Sequence, residues 1–231
     1  MIEQTLVKPT ASRQEVRAFL ESARKHGFYA VMVNPTWVEV AVQEMAGTGI
    51  RAGTAIGFPL GATLSEVKAY EAFRAVERGA REIDVVINIG ALKGGETDLV
   101  REDMATVVKA VHSVTGVDPR SVTVKAIIET CYLDEREKVL AAQLAVEAGC
   151  DFVKTCTGLG PRGVTVDDVV IIKRALAGKA GIKASGGIYN LEFALRLIEA
   201  GATRLGTSKG VELLEEMERK HTQVTRRAGY H

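Results

Sequence analysis

The sequence predicts an α/β fold, a single-domain (β/α)8 TIM barrel. Three observations carry that prediction. Short apolar runs alternate eight times with longer amphipathic stretches within 231 residues, and strict β–α alternation means parallel strands joined by right-handed crossovers. A helix end, a small-residue turn and a buried strand recur as one unit in ERGAREIDVV, VEAGCDFVKT and IEAGATRLGT. A doubly wound open sheet, the main alternative, would place a Gly-rich fingerprint after its first strand, where this chain reads KPTAS.

In chain order, strands are expected over 2–7, 29–34, 51–57, 82–88, 123–129, 151–156, 181–185 and 204–208, each a run rich in Val, Ile and Ala. Helical periodicity lies between them over 12–26, 36–46, 63–79, 97–114, 134–149, 165–178, 190–200 and 210–219. Thr63 followed by Glu66 in TLSE reads as a capping start, and Gly27, Gly79, Gly149 and Gly201 read as helix stops. Charged helix faces such as Glu66, Lys68, Glu71 and Arg74 read as solvated, and Trp37 as packing. The barrel domain is assigned to residues 1–220, and residues 221–231, which lose periodicity, to a flexible tail.

Composition narrows the function. The chain is 46% apolar and 26% charged with a net charge of +1 and no basic stripe, which argues against a nucleic-acid partner. No run reaches the length of a membrane span, and the N-terminus MIEQTLVKP shows no secretory signal pattern. The three cysteines form no C-x-x-C motif, so neither a disulfide framework nor a zinc cluster is indicated, and a reducing cytoplasm is the expected location.

The chemistry is expected at the C-terminal ends of the strands. Lys125, Lys154 and Lys183 fall on consecutive strands in two steps of 29 residues. Side chains two apart share a strand face, which puts Asp84 with Val86 and Asn88, Lys125 with Ile127 and Glu129, Lys154 with Cys156, and Lys183 with Ser185. One reading is structural, buried ion pairs that hold the barrel together. The other is catalytic: one carboxylate, Asp84, even with help from Glu129, cannot neutralise three ammonium groups. The surplus charge lowers the pKa of one amine and makes it a Schiff-base nucleophile. Gly186-Gly187 after the seventh strand, Gly206-Thr207-Ser208 on the eighth and Thr157-Gly158 after the sixth suggest a phosphate site built on backbone N–H groups, though turn chemistry alone also explains such residues. His26, His112, His221 and His231 fall in helices or the tail rather than at strand ends, so no catalytic metal and no cofactor is expected.

Eight segments carry a resemblance that covers nearly the whole chain: TLVKP (5–9), VNP (33–35), IGFPLGA (56–62), EIDVVINIGALKGG (82–95), VKAIIET (124–130), DFVKTCTG (151–158), IKASGGI (182–188) and RLGTS (204–208). Together they resemble the 2-deoxyribose-5-phosphate aldolase family, metal-free class I aldolases on a TIM barrel. The resemblance implies reversible cleavage of 2-deoxy-D-ribose 5-phosphate to D-glyceraldehyde 3-phosphate and acetaldehyde, in deoxyribonucleotide catabolism. It implies Lys154 as the Schiff-base lysine, Lys183 as the neighbouring cation and Asp84 as the acid/base group working through water. Lys125, Thr157, Gly158, Gly186, Gly187, Gly206, Thr207 and Ser208 become substrate or phosphate contacts, and Tyr230 a proton donor from the tail. The partners expected are phosphorylated sugars and aldehydes, with a homo-oligomer, a dimer, as the assembly. The chain departs from the family pattern at Glu3-Gln4, where Asp-His or Asp-Leu is usual, at Met32, often Cys, at Tyr189, commonly Arg, and at Lys209, usually small. Another Schiff-base aldolase for a different phosphorylated sugar, and a non-catalytic phosphosugar-binding barrel, stay open as alternatives.

Overall fold

In a computed structural model, which describes residues 1–227 and side-chain surroundings through residue 222, eight parallel strands close into a barrel with β1 paired to β8. The strands are β1 (Ile2–Leu6), β2 (Ala30–Val33), β3 (Arg51–Ile56), β4 (Glu82–Val86), β5 (Thr123–Ile127), β6 (Phe152–Lys154), β7 (Gly181–Ser185) and β8 (Arg204–Thr207). The helices are α1 (Arg13–His26), α2 (Val38–Met45), α3 (Ser65–Glu77), α4 (Ile89–Lys93), α5 (Thr97–His112), α6 (Glu135–Glu147), α7 (Val166–Leu176), α8 (Leu191–Ala200) and α9 (Gly210–Arg227). The expected barrel is therefore the observed one.

Most strands end one or two residues before the sequence suggested, because the apolar run continues into the loops that carry the site. Three helices start on reciprocal capping boxes, Ser12 with Glu15, Asp134 with Glu137 and Thr165 with Asp168. Each satisfies backbone N–H groups that the first turn leaves without partners. The Thr63 cap does not form: α3 starts at Ser65 behind Leu64, which makes no side-chain cap bond. The one-turn helix α4 is too short to leave a periodic signal. The last helix runs to Arg227 rather than stopping near 219.

Two interiors result. Between strands and helices lies an apolar annulus of Val, Ile, Leu and Ala that includes Val31, Ile83, Val124, Ile172 and Leu197. The inside of the barrel is polar: Glu3, Glu82, Asp84, Lys125 and Lys183 are all fully buried. Among the described residues two buried pairs lie outside the barrel, Lys138 with Asp168 and Lys68 with Asp103. Lys68 donates to Asp103 at 2.5 Å and to the Val86 carbonyl at 2.9 Å, tying α3 and α5 to the end of β4. Lys68 is thus not on a solvated face, and neither is Glu71, which accepts the Gly57 N–H at 2.8 Å. Periodicity assigned both by their spacing, but a lysine stem is long enough to pass back under its own helix.

Candidate active site

Strand register builds the site. Asp84 lies opposite Lys125 on the β4–β5 pair, and Lys154 opposite Lys183 on the β6–β7 pair. Asp84 is the hub: its carboxylate accepts from Lys125 at 2.9 Å, Lys154 at 2.8 Å and Lys183 at 2.5 Å. Lys183 also donates to Glu3. Lys125 reaches Glu82 at 2.6 Å and Glu3 at 3.6 Å, and Arg51, part exposed, donates to the other Glu82 oxygen at 3.0 Å.

This arrangement corrects the charge argument. The three lysines face three carboxylates, because Glu3 and Glu82 join Asp84. The surplus cation is Arg51 at the edge of the cluster, and counted with it the cluster balances when Lys154 is neutral. Glu129 does not join: its carboxylate holds Thr157 instead. Glu3 stands among the departures from the opening motif, and Glu82 is the first residue of its strand. Strand alternation places Glu82 on the Asp84 face, so its membership of the cluster is legible from the sequence.

The electrostatics separate the lysines. Burial pushes the Lys154 amine below its ordinary value. Asp84 opposes that and the charge of Lys183 reinforces it. Burial also works against the charged form of Lys125, but Asp84, Glu3 and Glu82 outweigh it and hold that ammonium firmly protonated. Burial would raise Asp84, and the three lysines instead hold it well below the usual carboxylate range. Lys154 is thereby released toward neutrality, and of the three lysines it is the one at a cavity wall.

That cavity, about 250 Å³, opens at the C-terminal end of the barrel. Lys154, Thr157, Gly158, Gly186, Gly187, Gly206, Thr207 and Ser208 all line it. Lys125 does not; it lies below, fully buried. Tyr230 lies outside the described residues. Gly158, Gly186 and Gly187 have φ of 87°, 90° and 77°, a left-handed geometry that residues with a Cβ avoid. A Cβ on Gly163 would stand 2.4 Å from the Gly186 carbonyl oxygen, so that unpredicted glycine lets the loop after β6 back the turn after β7. Gly206 serves differently: a Cβ there would lie 3.0 Å from Lys183 Cε, so its bareness is room for the Lys183 stem. The Thr207 hydroxyl donates to the Ile188 carbonyl at 2.8 Å.

Lys8 and Tyr189 also line the cavity. Lys209 does not: its ammonium pairs with Glu212 at 2.8 Å. Met32 is buried inside the barrel, where a Cβ on Gly53 would meet its sulfur. The β6–α7 loop is fastened from outside by Asp168, which accepts from Arg162 at 2.7 Å, Lys138 at 2.8 Å and Thr130 at 3.0 Å. Among the described residues, no group of three or more His, Cys, Asp and Glu side chains is arranged to hold a metal ion.

The family model described as DeoC/LacD family aldolase matches residues 3–215. A deoxyribose-phosphate aldolase from Carboxydothermus hydrogenoformans is 52% identical over 93% of this chain and 92% of its own. A solved aldolase called QR15 superposes with a TM-score of 0.88 at 39% identity, covering 95% of each chain. A tetrameric deoxyribose phosphate aldolase from Aeropyrum pernix superposes at 0.85 with 31% identity, over 94% of this chain and 89% of its own.

Proposed function

The chain belongs to the DeoC/LacD family of aldolases, and on that premise we propose that it reversibly cleaves 2-deoxy-D-ribose 5-phosphate to D-glyceraldehyde 3-phosphate and acetaldehyde through a Schiff base on Lys154. The observation that carries this reading is the Lys154 amine, placed at the cavity wall, lowered by burial, and sharing one Asp84 oxygen with Lys183.

The steps follow from that placement. Neutral Lys154 adds to the C1 aldehyde, and the carbinolamine loses water to give an iminium ion. A two-carbon and a three-carbon product require that the C2–C3 bond break. As a base removes the proton of the C3 hydroxyl, the C3 oxygen becomes the aldehyde of glyceraldehyde 3-phosphate. The electron pair of the C2–C3 bond flows into the iminium and leaves an enamine. Protonation at C2 and hydrolysis release acetaldehyde and restore the lysine. Asp84, acting with water, moves these protons. Lys183 keeps Lys154 from reclaiming its proton, and Lys125 fixes Asp84 from below. The glycine turns at 158, 186 and 187, with Gly206, Thr207 and Ser208, take the phosphate, an anchor remote from the bond that breaks. Tyr230 is the proposed donor to the enamine carbon.

We further place the reaction in deoxyribonucleotide catabolism in the cytoplasm, carried out by a homo-oligomer. No helix among the described residues is long and apolar enough to cross a membrane, and a solved relative is tetrameric. Light scattering on the eluting protein tests the assembly; a monomer at micromolar concentration overturns it. Borohydride reduction with deoxyribose 5-phosphate, followed by peptide mass mapping, tests the chemistry. The expected result is an adduct on the peptide holding Lys154 that is lost in Lys154→Ala. An adduct on no lysine overturns the mechanism.

A further inference from the structure

Glu129 is buried at the end of β5 in a left-handed conformation, φ 52°, one of two non-glycine residues with positive φ among those described. Such a backbone persists only where its surroundings impose it. Here the twist aims a carboxylate across to the loop after β6. Its Oε2 accepts both the backbone N–H of Thr157, at 3.1 Å, and the Thr157 hydroxyl, while Oε1 faces the Cys131 thiol at 3.6 Å.

A hydroxyl has one proton to give and two lone pairs to receive. The proton of Thr157 goes to Glu129, and the Leu159 N–H takes one lone pair at 3.0 Å. What Thr157 retains for the cavity is one lone pair. We propose that Glu129 is a positioning residue that fixes Thr157 as a hydrogen-bond acceptor, so that the cavity between Lys154 and the Gly186-Gly187 turn selects a substrate hydroxyl and turns away groups that only accept. The inference rests on the aldolase reading. In that setting the hydroxyl read is the one on C4, which takes no part in bond cleavage and lies between the imine and the phosphate. A phosphate oxygen, an acceptor only, finds no partner at Thr157 and is left to the glycine turns.

The test is aldol addition of acetaldehyde to D-glyceraldehyde 3-phosphate and to 3-oxopropyl phosphate, which lacks that hydroxyl. The quantity read is the ratio of their kcat/KM values. The protein is expected to favour the hydroxylated acceptor by about tenfold, the worth of one neutral hydrogen bond at the upper end of its usual range. Thr157→Val and Glu129→Ala should each bring the ratio close to one. Glu129→Gln should preserve it, because its amide oxygen still accepts from Thr157. The double variant should match Thr157→Val alone. A ratio unchanged in Thr157→Val overturns the proposal, as does Glu129→Ala slowing both acceptors equally, which is what mere loop support would do. If Glu129→Ala does not fold, Thr157→Val and Glu129→Gln still decide. Borohydride trapping of acetaldehyde on Lys154 is measured alongside. Its failure in the parent protein condemns the aldolase reading, and its success with a flat ratio condemns only this one.

Discussion

Gly206 offers a sharp test of how the site is packed. Replacing it by Ala adds a Cβ 3.0 Å from Lys183 Cε and 3.1 Å from Ser185 Cβ. Ordinary contacts begin several tenths of an ångström further out, so something must move. The Ser185 hydroxyl is tied to the Cys156 carbonyl at 2.6 Å, and the Lys183 ammonium is held by both Glu3 and Asp84. Overpacking of this size costs about 1–3 kcal/mol, or a fall in Tm of about 2–12 °C for a chain of this length. A displacement of about half an ångström in a cation beside the nucleophile should lower kcat by about tenfold, since an ångström can cost a hundredfold. The assay compares deoxyribose 5-phosphate with unphosphorylated deoxyribose. If Gly206 is room for Lys183, kcat falls alike for both. If it acts chiefly as a phosphate contact, KM rises for the phosphorylated substrate and the unphosphorylated one is spared. Unchanged kcat with either substrate refutes the packing argument.

Asp84 and Glu3 are both held below their ordinary values of 3.8 and 4.5, by Lys125, Lys154 and Lys183 acting against burial for Asp84 and by Lys125 and Lys183 for Glu3. As pH falls the unfolded chain takes up protons first, so stability is full above pH 5 and declines through and below those values; a Tm constant from pH 7 to 3 would contradict this. Asp103→Ala leaves the buried Lys68 ammonium without its carboxylate and should cost about 3–5 kcal/mol in denaturant unfolding, with much of the loss recovered in Lys68→Met/Asp103→Leu; a cost near zero refutes the pairing. Met32 is buried and does not line the cavity, so Met32→Cys should be inactivated in acetaldehyde no faster than the parent, because a thiol shielded in this way does not reach an enal; faster inactivation in a timed incubation would show that the position opens to the site.

The fold was legible because every strand and most helices announce themselves by period, and because buried parallel strands are continuous apolar runs. The lysine triad was legible for the converse reason: a charge inside such a run has to be accounted for. What was not legible depends on partners that are distant in sequence. Nothing local marks Glu3 as the counter-charge of Lys183, a contact that exists only because β1 closes onto β8. The same holds for Lys68, whose amphipathic surroundings suit solvent and whose actual partner lies 35 residues on. Glu129 was read by strand alternation as facing the lysines, but the strand ends at Ile127 and a left-handed residue turns the side chain elsewhere.

The turns at Gly158, Gly186 and Gly187 have a consequence for how this pocket can change over time. Among the described residues that line the cavity, the only basic side chains are Lys8 and Lys154, and none is a carboxylate. Whatever rests against those turns meets main chain, and main chain offers the same groups whatever the neighbouring side chains become. Exchanging residues around the rim would retune selectivity while leaving the anchor in place. An alanine scan would pass over the anchor almost unnoticed, since its working parts are not side chains. Divergence toward a new acceptor aldehyde therefore has a cheap route here, through the walls rather than the floor, and redesign of the pocket can begin at Leu159 and Tyr189.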